Sequence, residues 1–156
     1  MRRRFFAPLV LAAAVITGTT GCTLSADIAT MKDYDPSDGA GADLGGIALR
    51  NILLISNDDG EANLVMTVVN ASGEDVTLNV QFDDGSARIT EPLALPAVPE
   101  RTRVGDNPSA GIVMSGPELV VGGAFPVYFE YGNFPGELVY VPVLDGTLPE
   151  YELLVP

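Results

Sequence analysis

Val76-Thr77-Leu78-Asn79-Val80-Gln81-Phe82 alternates apolar and polar side chains at every step. Val76, Leu78, Val80 and Phe82 fall on one face and Thr77, Asn79 and Gln81 on the other, the pattern of a strand with a buried and a solvated face. Turn residues bound the stretch on both sides, Ser72-Gly73-Glu74 before it and Asp83-Asp84-Gly85-Ser86 after it. Its neighbours therefore read as further strands joined by tight connections.

Upstream, Ile47 to Ile55 is apolar apart from Arg50 and Asn51, and Asn57-Asp58-Asp59-Gly60-Glu61 supplies a turn before the run from Asn63 to Asn70. Asp-Gly between two such runs is a strong hairpin signal, because both residues tolerate positive φ. Downstream, Ala87 to Thr90 continues the pattern. Residues 91 to 117 then carry Pro92, Pro96, Pro99, Pro108 and Pro117 with Gly105 and Gly111, so strands there, 98 to 104 and 111 to 114, should be short and lie on edges. Phe125 to Tyr131 and Glu137 to Leu144 flank Gly132-Asn133-Phe134-Pro135-Gly136, and Pro142 predicts an edge or a bulge. About seven to nine short strands without a helical period predict an all-β domain over residues 46–156, an immunoglobulin-like Greek-key β-sandwich, with a small barrel as the alternative. With one Cys and no Trp the disulfide-and-tryptophan signature of antibody domains is absent, so the expectation concerns architecture.

Composition narrows the chemistry. The 156 residues include no His and one Cys, which removes His-ligated metal sites, four-cysteine zinc sites, Ser-His-Asp triads, Cys-His pairs and internal disulfides. A formal charge of -13 argues against nucleic acid as a partner, because phosphate backbones are held by clustered Lys and Arg.

The beginning of the chain reads as an address. Arg2-Arg3-Arg4, the apolar run Phe5 to Ile16 and the small polar stretch Thr17-Gly18-Thr19-Thr20-Gly21 follow the order of a signal peptide, expected to span 1–21. The apolar run is shorter than the roughly 20 residues of a spanning helix. Cys22, directly after Gly21, resembles the lipobox cysteine of bacterial lipoproteins, with Thr19 where that family usually carries Leu. The resemblance implies that Cys22 becomes the mature N-terminus and carries a diacylglycerol, placing the protein on the outer face of the cytoplasmic membrane. Two acyl chains anchor stably where one binds reversibly. Cleavage removes three Arg and leaves five basic against 21 acidic residues, a net charge of -16, so the lipid rather than the protein surface must hold the membrane.

Residues 22–45 carry the lipidated Cys22 and then Asp27, Asp33, Asp35, Asp38 and Asp43 among Ser, Thr, Ala and Gly, and read as an acidic flexible tether. Asp33, Asp35 and Ser37 have the alternate spacing of a calcium loop, but Asp38 stands where Gly is required and Leu44 where Glu is required.

Gly46-Ile47-Ala48-Leu49-Arg50-Asn51, Val68 to Asp75, Phe125 to Tyr131 and Gly136 to Val143 together resemble the LpqE-like lipoproteins of actinobacteria. The last block also looks like the end of the PCu(A)C-type periplasmic copper chaperone domain. The resemblance implies an extracytoplasmic β-sandwich. Those chaperones hold Cu(I) through spaced His and Met, a soft-ligand site suited to thioethers. Without His this chain cannot fill the His positions. Met114 falls near the family's C-terminal ligand motif and Met66 lies on a predicted strand; both read as core filling.

The leading functional expectation is a non-catalytic, lipid-anchored envelope protein, a module that binds an envelope protein or cell-wall component or assists assembly at the outer face of the cytoplasmic membrane, with no catalytic, metal or cofactor residues assigned. Residues 91–117 and Asn133-Phe134-Pro135 are the candidate recognition loops. Calcium or copper-related binding is the alternative, with hard oxygen ligands offered by Asn57 to Glu61 and Asp83 to Ser86. A hydrolase using paired carboxylates would draw on Asp58, Asp59, Glu61, Asp83 and Asp84, all in turns. Asn70-Ala71-Ser72 matches a glycosylation acceptor and reads as a turn.

Overall fold

The computed structural model describes residues 36–57, 59–97 and 101–156. The expected signal peptide, Cys22 and the first part of the tether lie outside the described residues. Nine strands follow one another: β1 (Ala40–Leu44), β2 (Ile47–Ser56), β3 (Glu61–Asn70), β4 (Val76–Asp83), β5 (Arg88–Leu95), β6 (Arg101–Val104), β7 (Val113–Ser115), β8 (Ala124–Tyr131) and β9 (Glu137–Asp145). Two 3₁₀ turns, Pro108–Ala110 and Glu152–Leu154, are the helical elements among the described residues.

The order is β5-β4-β8-β9-β2-β3-β6, with β1 on β2 and β7 on β3. The path curls so that two inner faces share one core. Leu49, Ile52, Leu54, Leu64, Met66 and Val68 come from the β2–β3 side and Leu78, Val80, Phe82, Phe125, Val127, Phe129 and Val141 from the β4–β8–β9 side. The fold is thus all-β and sandwich-like.

β9 joins the two halves. Its first part pairs antiparallel with β8, from Phe129↔Glu137 to Ala124↔Pro142, and its last residues pair parallel with β2 from Leu54↔Val143 to Ser56↔Asp145. Pro142, expected at an edge or a bulge, stands at this change of partner, where its missing N–H interrupts least.

The apolar run Ile52 to Ile55 within β2 has a specific cause. Asn51 adopts φ 51 within a register shift between Arg50 and Leu53. Leu49, Ile52 and Leu54 enter the main core, whereas Leu53 and Ile55 face the other way and pack with Tyr151 in a second cluster bordered by Val65, Leu144, Leu154 and Val155. Strand β2 is therefore buried on both faces from Ile52 to Ile55, and an apolar side chain is needed at each of these four positions.

The expectation that 22–45 forms one tether is corrected at its end. Ala40–Leu44 is strand β1, paired antiparallel with β2. Gly39 N–H donates to Asn51 Oδ1 at 3.0 Å, and Tyr151 O–H donates to Asp38 Oδ2 at 2.6 Å across 113 residues. The acidic, small-residue composition of 36–45 concealed a strand because its partners lie elsewhere in the chain.

The Asp38 contact has a pH signature. Donation to Asp38 first, then burial, push the Tyr151 hydroxyl from 10.0 up to about 12. The folded state therefore favours the protonated phenol, and this contribution is complete below pH 10 and lost as pH rises through about 12. Tyr151→Phe should cost about 1 kcal/mol at neutral pH. Urea midpoints of the unsubstituted protein should converge on those of Tyr151→Phe between pH 10 and 12; a constant gap across that window would refute the linkage.

Candidate binding surface

Two strands, β2 and β6, place arginines on the solvated side of the β2–β3–β6 region, one on each side of β3. Arg50 on β2 is opposite Thr67 on β3, and Thr67 is opposite Arg103 on β6, so one cross-strand row reads Arg-Thr-Arg. In the next row Val69 faces Arg101. Leu49, Val68, Met66 and Val104 point inward from the same strands, leaving the arginines exposed. Arg50, Thr67, Val69, Arg101 and Arg103 line one groove of about 480 Å³.

Residues 36–156 contain 18 acidic residues and four arginines, and three of those four arginines line this groove. Arg50 donates to Asp43 Oδ1 at 2.7 Å and to the carbonyls of Ala42 and Leu49 at 3.0 and 2.7 Å. Arg103 meets Asp106 at 2.9 Å. Among the described residues no carboxylate lies within ion-pair distance of Arg101. The sequence does carry a signal for this grouping. Arg101-Thr102-Arg103 puts both guanidiniums on one strand face, and Arg50 interrupts an otherwise apolar run where one side chain must face solvent.

The expected recognition loops are partly reassigned. Within 91–117, Arg101–Val104 and Val113–Ser115 are edge strands on β3, and Arg88–Leu95 is an edge strand on β4 that accommodates Pro92. Proline is tolerated there because an edge N–H has no ladder partner to lose. Phe134 stacks on Tyr131 with centroids 4.8 Å apart, and Tyr131 Oη accepts from Gly46 N–H at 2.9 Å. Gly45, at φ 54, lies where a Cβ would meet the Phe134 ring at 2.6 Å, so this aromatic tip closes the β1–β2 turn.

The acidic turns are occupied by their own backbone. Asn57 Oδ1 accepts from the amides of Asp59 and Glu61, each at 3.0 Å; Asp58 lies outside the described residues. Asp83 Oδ1 accepts from Gly85 N–H at 2.8 Å, and Asp84 Oδ1 from the amides of Ser86 and Ala87 and from the Ser86 hydroxyl. Donation from the Ala87 amide, then from Ser86, holds the Asp84 carboxyl below its usual range, the opposite of what a general acid requires. Asp59 and Asp83 line separate cavities. Among the described residues no three His, Cys, Asp or Glu side chains converge on a point that could hold a metal ion. In the stretch with calcium-loop spacing, Asp33 and Asp35 lie outside the described residues and the Ser37 hydroxyl donates to Gly39 O at 3.3 Å.

Met66 and Met114 are both buried in the main core. Met114 pairs with Ala62, four residues from Met66 along β3, so the two side chains enter the core about 13 Å apart. Asn70, the possible glycan acceptor, is 3 % exposed and donates through Nδ2 to the carbonyls of Glu74 and Pro96, so it acts as a turn lock.

No family model matches this chain, and no curated protein matches it. Among solved structures, the apo PCuAC domain from PmoF1 aligns with a TM-score of 0.53 at 14% identity, covering 68% of this chain and 98% of that one. The apo PmoF2 PCuAC domain aligns with a TM-score of 0.49 at 20% identity, covering 68% of this chain and 94% of that one. At such identity the first likeness is one of fold: this chain shares an all-β, sandwich-like architecture with a PCuAC domain.

Proposed function

We propose that this protein is a non-catalytic, lipid-anchored recognition module of the cell envelope. Cys22 holds it at the outer face of the cytoplasmic membrane, in the manner implied by the lipobox resemblance of the residues before it, and the β2–β3–β6 face binds another envelope component. The observation that carries this reading is the arginine-lined groove in a domain otherwise dominated by carboxylates. A groove on paired strands is a stiff, preformed surface, and stiffness lowers the ordering cost of binding. The oxygens of Asp83 and Asp84 already close their own turn, which disfavours a hydrolytic role for that pair.

In-cell photo-crosslinking tests it. A photoreactive side chain at Ala48, beside Val69 at the groove's edge, should give a discrete adduct with an envelope component. The same group at Thr90, exposed on β5, should not. Equal adducts from both positions, or none from Ala48, would count against recognition by this face.

A further inference from the structure

We infer that the groove recognises a phosphate group, carried on a soluble organophosphate rather than in a bilayer. This deepens the recognition reading above and rests on it.

The geometry suits a tetrahedral anion. Neighbouring strands lie about 4.8 Å apart, so the Cα atoms of Arg50 and Arg103 flank Thr67 at about 10 Å, with Arg101 about 7 Å further along β6. Arg50, Arg101 and Arg103 thus line a groove to which the middle strand contributes Thr67 and Val69. A phosphate presents up to four oxygens in three dimensions and can accept from several forks at once, whereas a carboxylate offers two oxygens in one plane. The groove's volume of about 480 Å³ admits a group larger than the phosphate alone, such as a glycerol or sugar unit resting on Val69.

The two ion pairs at the rim do not close the site. Asp43 and Asp106 side chains are 69% and 50% exposed, and such pairs are weak, screened and easily exchanged. Arg50 donates to Asp43 and to the carbonyls of Ala42 and Leu49, and Arg103 donates through Nε to Asp106, so N–H donors remain on both, since each guanidinium carries five. The source of the phosphate follows from overall charge. With 18 acidic residues and four arginines in residues 36–156, docking on an extended anionic bilayer brings many carboxylates against like charge, whereas a small anion meets only those that border the arginine-lined groove.

The test is calorimetric titration of the purified full-length protein with glycerol 3-phosphate, glycerol and acetate, and sedimentation with phosphatidylglycerol vesicles. Glycerol 3-phosphate should bind saturably, at least about tenfold more tightly than acetate, and more weakly as salt rises. R101Q/R103Q should weaken it at least about tenfold. Arg103→Lys, which keeps the charge and loses the fork, should fall between. Arg88→Gln, at the start of β5 and outside the groove's lining, should change nothing. Melting curves identify any unfolded variant, and the Arg103→Lys comparison then decides alone. No saturable binding, acetate binding as tightly, or an equal loss in Arg88→Gln overturns the proposal. Vesicle binding through Arg101 and Arg103 without glycerol 3-phosphate binding overturns the soluble source. A crosslink from Ala48 without phosphate binding refutes the phosphate chemistry and leaves the recognition reading standing; absence of both refutes the two together.

Discussion

Phe129→Ala should destabilise the domain by about 3–5 kcal/mol and lower its melting temperature by about 10–20 °C. Phe129 is fully buried on β8, paired with Val80 of β4 on one side and Glu137 of β9 on the other. Its ring belongs to the main core, which also holds Leu49, Leu64 and Met66 of the β2–β3 side. The truncation removes apolar burial and leaves a cavity that paired strands cannot collapse to fill, and both effects act in the same direction. Tyr140→Ala provides the contrast on the adjacent strand. Tyr140 is 65% exposed, and its loss should stay within about 0.5 kcal/mol. Urea unfolding followed by far-ultraviolet circular dichroism suits a chain without tryptophan. Equal midpoint shifts for the two variants would contradict the assignment of inner and outer faces.

Cys22→Ala should abolish membrane retention. The variant loses the thiol to which a diacylglycerol would attach, and the chain after residue 21, with five basic and 21 acidic residues, offers no electrostatic attraction to anionic headgroups in its place. Fractionation should move the protein from the membrane pellet to the soluble envelope fraction or the medium. Detergent phase partitioning reports the same event independently, with the variant moving from the detergent to the aqueous phase. Membrane sedimentation unchanged by Cys22→Ala would remove the lipid anchor from the proposed function and leave the arginine groove untouched.

The legibility of the fold varied along the chain for physical reasons. Strand β4 was readable because one face meets the core and the other meets solvent, which writes a period of two into the residues. Strand β2 was readable as a strand but not in its surroundings. A continuous apolar run fits any doubly buried segment, and the second cover is the C-terminal stretch around Tyr151, about 100 residues later in the chain. Strand β1 was missed because Ala40, Gly41 and Ala42 have little apolar surface of their own, and Ile52, Leu49 and Ala48 supply the order through backbone pairing. β5 ran further than expected through Pro92, since an edge strand does not need the missing N–H.

The candidate site divides in the same way. Sequence drew attention to Asp58, Asp59, Glu61, Asp83 and Asp84, residue types able to bind cations or transfer protons. The structure puts the described ones at two separate turns, where neighbouring amides occupy the oxygens of Asp83 and Asp84. The arginines drew none, although the face they share is set by the register Arg50↔Thr67↔Arg103.

By itself the sequence determined the all-β class, the position of most strands and the excluded chemistries, because these follow from local periodicity and from counts of His and Cys. Tertiary structure alone decided three things: that residues 38–44 belong to the domain, that β9 links the two halves, and that three of the four arginines in residues 36–156 meet over Thr67 and Val69. Each depends on register between strands distant in sequence. Register is fixed by which side chains fill the shared core, a property of the assembled strands and of no segment alone.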